Sequence, residues 1–129
     1  MKKYLTLIAL MSLLIFILLL GWGTYKILDA DTKTLLPSVE KISSAIQEEN
    51  WTEAKNNFQK TEDSWNTISN HWAFLINHQE MDRIEESMAK LKGYIYCNDT
   101  INAQAEFYVL IHFIKHIPKK NTFNLENLF

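Results

Sequence analysis

Glycine and proline are nearly missing from this sequence. Its 129 residues hold 3 Gly and 2 Pro, and Gly21 and Gly23 fall at the end of an apolar run, so Gly93 alone serves the rest. No proline occurs between Pro37 and Pro118. A β-sandwich or barrel needs many tight turns, and turns draw on both residues. Their scarcity excludes such folds and favours a few long helices joined by short polar links. Cysteine is scarcer still. Cys97 stands alone, so no internal disulfide can form. Its plain role is a small buried hydrophobe near a helix end, and its sharper role a reactive thiol or an intermolecular bridge. No cysteine stands at the end of the apolar run, which excludes a lipid-modified cysteine anchor. Basic charge is also thin where it would be informative. From Glu40 to Glu106 twelve acidic residues face six basic ones. Phosphate backbones are bound through clustered Lys and Arg, so nucleic acid is not an expected partner.

What is present begins with an uncharged stretch of 22 residues, Tyr4 to Tyr25, preceded by Lys2 and Lys3. As a helix it reaches about 33 Å, enough for a hydrocarbon core of roughly 30 Å. Tyr4, Trp22 and Tyr25 stand where interfacial aromatic residues belong. A buried helix of a soluble protein is rarely apolar on every face. The expectation is a single-pass signal-anchor over residues 1–28 and an extracytoplasmic helical domain over 29–129. The amino terminus is placed in the cytoplasm, because Lys2 and Lys3 are not matched by positive charge beyond the span. A cleaved signal peptide, cut after Gly23, is the alternative. The apolar run is longer than the roughly 7–15 residues usual for such a segment.

Beyond the anchor, Trp51, Ala54, Phe58, Thr61, Trp65, Ile68, Trp72 and Leu75 alternate three and four apart. That spacing keeps one helix face toward a partner. Asn50 with Glu53 three residues on makes a capping box, and the helix is expected to run to about Ile76. Met81, Ile84, Met88, Leu91 and Ile95 form a second stripe, weakened near its end by Gly93 by about 1 kcal/mol. Asn98-Asp99 supplies a turn and a cap. Ile101, Ala105, Phe107, Tyr108, Leu110, Ile111, Ile114 and Ile117 mark a further helix, which Pro118 is expected to stop. A shorter helix starting near Pro37 carries Leu35, Val39, Ile42 and Ile46, and the tail holding Leu125, Leu128 and Phe129 could pack back. The fold class is all-α: an N-terminal transmembrane helix followed by an antiparallel bundle of about four helices. A helical repeat is the alternative, since NWTEAKNNF resembles the second helix of a tetratricopeptide hairpin, but no second copy occurs at a period of about 34 residues.

The stretch Asn50 to Phe58, Trp65, His71-Trp72, the phrase INHQEMDRIEESMAKLKGYI, Ala103, Glu106, IKHIP and the final ENLF resemble the domain of unknown function 4363 family. The resemblance covers most of the chain. It implies a small membrane-anchored protein of Gram-positive bacteria with no assigned activity. It also implies a possible multi-span membrane protein as partner, because some members are encoded beside one. Cys97 lies outside the resemblance.

Candidate site residues are few. His71 and His78 are seven apart, Asp82 follows His78 by four, and His112 and His116 are four apart. With Glu106 these could offer ligands to a divalent metal. HFIKH lacks the Glu that zinc proteases place after the first His. Helix-end and surface roles account for the same residues: His116 beside Lys115, Lys119 and Lys120 complements a helix dipole. No phosphate loop, nucleophile elbow or paired-cysteine zinc motif occurs. No cofactor and no enzymatic activity are expected. The leading function is a membrane-held interaction module for a membrane or cell-envelope protein, and the alternative is a metal or small-ligand domain. The topology has a direct check. With Cys97→Ser, a thiol introduced as Asn121→Cys should react with an impermeant reagent in intact cells; labelling only after lysis would reverse the orientation.

Overall fold

The computed structural model describes residues 2–120, and the tail expected to pack back lies outside them. Four helices follow one another: α1 (Lys2–Gln47), α2 (Trp51–Trp72), α3 (His78–Tyr96) and α4 (Thr100–Lys120). There is no strand among the described residues. Helix α1 packs on α2 and α4, and α3 packs on α4 and α2, which closes an up-down-up-down antiparallel bundle. The all-helical fold expected from the sequence is what forms.

The apolar N-terminal segment and the first bundle helix are one element. The separate helix expected near Pro37 does not exist: α1 continues through that proline. Proline inside a helix leaves a carbonyl without its donor and costs about 3 kcal/mol. Here Pro37 is exposed, while Leu35, Val39, Ile42 and Ile46 around it are fully buried. Burial of each such side chain contributes about 1.5–3 kcal/mol, which outweighs the local penalty. The N-terminal part of α1 has a window of mean hydropathy 2.6 with none of it buried in the protein, long and apolar enough to cross a membrane. Its first buried residue is Leu28.

Both links at the end of the bundle remote from this segment are built alike. Glu49 and Asn98 take positive φ (54° each). Asn50 N–H donates to Ala45 O (2.9 Å) and Asp99 N–H to Tyr94 O (2.9 Å), closing the preceding helices as Schellman turns. The next residue caps the following helix. Glu53 N–H donates to Asn50 Oδ1 (3.2 Å), and Asn102 N–H to Asp99 Oδ1 (3.1 Å). The expected caps therefore form. Asn50 Nδ2 also donates to Glu53 Oε2 (3.2 Å), so this box closes through side chains, the backbone N–H of Asn50 being engaged with Ala45. Cys97 sits in the second of these turns and is exposed, contrary to the buried role expected for it.

Two other boundaries differ from the sequence reading. Helix α2 ends at Trp72, four residues early, and a short turn over Ala73–Ile76 leads to Asn77, which caps α3 by accepting from Gln79 N–H (2.9 Å). Helix α4 runs past Pro118 to Lys120, because a proline this close to a helix end spoils little of the ladder and its ring is buried.

The core is organised by two tryptophans on α2. Trp65 and Trp72 meet edge to face, with centroids 5.5 Å apart at 86°. Each indole N–H reaches a carboxylate on a different neighbour: Trp72 Nε1 donates to Asp31 Oδ2 on α1 (3.0 Å), and Trp65 Nε1 to Glu85 Oε1 on α3 (3.4 Å). Thr61, the polar interruption of the stripe, is fully buried and donates to Asn57 O (3.0 Å). Since Trp65 is buried, meets the Trp72 ring and bonds to α3, Trp65→Ala should lower stability by about 3–5 kcal/mol in chemical denaturation. A loss below about 1 kcal/mol would contradict this packing.

Candidate functional site

The antiparallel order puts residues near 25–33, 71–83 and 113–120 at one end of the bundle, where the apolar part of α1 emerges. Trp72–Asp31 and the Lys120–Glu80 ion pair mark this end. Lys33 Nζ and Asp29 Oδ2 pair there at 2.6 Å, and that hydrogen bond raises the Lys33 pKa.

The six candidate ligands do not converge. His71 is exposed in the last turn of α2, beside Ile27, Ala30, Asp31 and Leu75. His78 opens α3, and Asp82 follows one turn later; both are exposed. His112 and His116 are exposed on α4, with their rings stacked at 5.8 Å and 16°. Glu106 lies in the seam between α3 and α4, where its Oε1 accepts from Ser87 Oγ at 2.6 Å. Among the described residues, no group of three or more His, Cys, Asp or Glu side chains could hold a metal ion.

Among the candidates, Glu106 borders a cleft with Arg83, Glu86, Ser87 and Lys90, His71 one with Asp31, and His116 a cleft with Glu80, Arg83 and Lys120, closed by Phe113 and Ile117. The His116 cleft measures about 50 Å³, room for water rather than for an organic ligand, whose sites span roughly 300–1,000 Å³. Glu80 was not among the sequence candidates, and its partner Lys120 is forty residues away, so no local pattern could find it. The other groups with displaced pKa values lie elsewhere on the surface. Glu86 is lowered and Lys90 raised by the hydrogen bond between them, and Asp99 is lowered by the side chain and backbone of Asn102 that it caps. These are exposed pairs and a cap, not a poised acid and base.

Two surfaces were not anticipated. Helix α4 is apolar on two faces. Ala103, Phe107, Leu110, Ile114 and Ile117 point into the core. Ile101, Ala105, Tyr108 and Val109, the first three expected in the core stripe, point outward, with Ile101 82% and Tyr108 61% exposed. The sequence signal was present as two interleaved stripes two residues out of phase. The second surface is Phe74, 90% exposed in the turn after α2, at the end where the apolar segment emerges.

Fold and surfaces thus define a small four-helix module joined without a break to a long apolar N-terminal helix. Residues 22–128 match the family described as Domain of unknown function (DUF4363), and the chain belongs to that family. No curated protein and no solved structure matches it.

A metal site needs converging ligands, about four for zinc. Zinc should therefore leave the melting temperature unchanged, and His78→Ala or His116→Ala should make no difference to the response. A rise of several degrees abolished by either change would reveal a site, since a ligand that prefers the folded state stabilises it by mass action.

Proposed function

We propose that this protein is a membrane-anchored interaction module, not an enzyme, whose outward face on α4 receives an apolar surface of a membrane or cell-envelope protein. The observation that carries the reading is the second stripe of α4. Ile101, Ala105, Tyr108 and His112 follow at three- and four-residue intervals along the solvent side, and Val109 flanks them. An outward stripe with a small residue at its centre allows close approach of another helix, and an exposed tyrosine is the kind of anchor that dominates interfaces. The apolar part of α1 supports the anchoring, being long enough to span a bilayer and unburied by the bundle. On this reading Lys2 and Lys3 hold the amino terminus in the cytoplasm and the bundle lies outside it. The partner is then a protein of the same membrane or of the envelope beside it.

A photo-crosslinking residue at position 108, introduced into the full chain in intact membranes, should yield one discrete adduct with an envelope or membrane protein. The same residue at position 60, on the exposed side of α2, should yield none. Tyr108→Glu together with Ile101→Glu should abolish pull-down of that adduct partner while leaving helicity intact. Adducts at position 108 that contain only a second copy of this chain, or no more adduct than at position 60, would sink the reading.

A further inference from the structure

We propose that the end of the bundle nearest the apolar segment is a lipid-contact surface. Phe74 inserts between the headgroups of an anionic bilayer, and Lys115 and Lys119 meet their phosphates. This rests on the anchoring reading above and concerns a different face from the α4 stripe.

The placement follows from the continuity of α1. Its uncharged stretch ends at Tyr25, and the first buried bundle residue is Leu28. Three residues of helix advance about 4.5 Å. The headgroup layer is roughly 5–8 Å deep on each side of the hydrocarbon core. The base of the bundle therefore stands within that layer when the apolar stretch spans the bilayer. Leu75 shares a groove with Ile27, Ala30 and Asp31 of α1, which fixes its level just above the end of the span. Phe74 is its neighbour in a turn whose other apolar residues, Ala73, Leu75 and Ile76, pack against the core. An isolated ring facing away from the protein at this level has lipid as its apolar surroundings.

Charge selects the kind of lipid. Around the base, Lys26, Lys33, Arg83, Lys115, Lys119 and Lys120 outnumber Asp29, Asp31, Glu80 and Asp82, whereas the remainder of the bundle is acidic. An anionic surface attracts the first and repels the second, so it holds the bundle base-down. Lys26 lies over the ring of Trp22, 5.5 Å from its centroid, the aromatic-cation pairing of an interfacial belt. Between α1 and α4 a groove is lined by Tyr25, Asp29, Thr32, Lys33, Leu36, Lys115, Pro118 and Lys119, the one carboxylate among them, Asp29, being paired with Lys33. Thr32 is 5% exposed, and its hydroxyl has no hydrogen-bond partner there. A lipid headgroup would supply one.

The test uses the full chain with Cys97→Ser, reconstituted into vesicles of neutral phosphatidylcholine alone or mixed with phosphatidylglycerol. An environment-sensitive fluorophore is attached through Phe74→Cys, or through Tyr96→Cys at the far end as control. Both proteins should float with the vesicles. The label at position 74 should be shielded from aqueous iodide and quenched by lipids brominated near the headgroup, more strongly in anionic vesicles, while the label at position 96 behaves as in water. Lys115→Glu with Lys119→Glu should cut the lipid quenching about twofold or more in anionic vesicles and leave it unchanged in neutral ones, with the circular dichroism spectrum unaltered. Equal iodide access at positions 74 and 96 in floating protein would overturn the proposal, as would lipid quenching indifferent to vesicle charge. Failure to float would instead sink the anchoring reading itself.

Discussion

The unbroken run of α1 from Lys2 to Gln47 is the constraint on which the other contacts depend. A hinge between the apolar stretch and the bundle would let the two orient independently. A continuous helix does not, so the direction of the first bundle helix is set by the apolar stretch that precedes it. Leu28, Thr32, Leu35, Val39, Ile42 and Ile46 then present one buried face at helical spacing, and α2 and α4 pack against it. Pro37 lies on the opposite, exposed side of that face. There the ring points to solvent and interrupts no packing, which is why the helix can carry it.

Burial alone gives a bundle its compactness but leaves rotation and sliding of its helices weakly specified. The indole N–H groups of Trp65 and Trp72 restrict both. Each can be satisfied only where a carboxylate stands at the right height on the adjacent helix, and each is partly shielded from water, which makes a missed partner costly. Asp31 thus sets α1 against α2, and Glu85 sets α3 against α2. A similar pairing joins α3 to α4, where the Ser87 hydroxyl donates to Glu106, and α1 to α4, where Gln104 Nε2 donates to Ser43 Oγ at 2.7 Å. Every seam of the bundle has at least one polar contact of this sort beside its apolar packing, and the α2–α3 seam also carries the Lys92–Glu62 ion pair (2.9 Å).

How much of this was legible depended on how one-sided each helix is. The stripes of α2 and α3 are strict, and the sequence reading located their core residues, Trp65, Trp72, Ile84 and Leu91 among them. Helix α4 is apolar on two sides, so periodicity could not separate Phe107 and Leu110, which are buried, from Ile101 and Tyr108, which are not. Proline was over-weighted twice. The local penalty at Pro37 is real, but burial of its neighbours outweighs it, and Pro118 stands too near the end of α4 to cost much of the ladder. Cys97 was misplaced because a helix-end residue can face either way, and the turn at Asn98 turned it outward. The candidate site failed for a different reason. Spacing fixes which residues share one helix face, yet the positions of His71, His78 and His112 relative to one another depend on three separate helix rotations, about which spacing is silent.

The links at the two ends of the bundle are made differently. At the far end, Glu49 and Asn98 occupy left-handed conformations where glycine is usual, at a cost of about 1–2 kcal/mol each. The backbone and cap hydrogen bonds of both turns offset this, so tight turns form in a sequence nearly empty of glycine. These turns are polar, as turns facing water are. At the near end, the link between α2 and α3 reads Ala73-Phe74-Leu75-Ile76 before the cap Asn77, the least polar connection among the described residues, held by Phe74 N–H to His71 O (3.3 Å) and Leu75 N–H to Trp72 O (2.9 Å). That backbone tucks Leu75 and Ile76 against the core and leaves the Phe74 ring projecting. A turn built for water would carry its polar residues at that projecting position. The asymmetry between the ends is therefore encoded in the links themselves, and it runs in the same direction as the charge: polar turns with acidic flanks away from the apolar segment, and an apolar turn at the end where basic residues outnumber acidic ones.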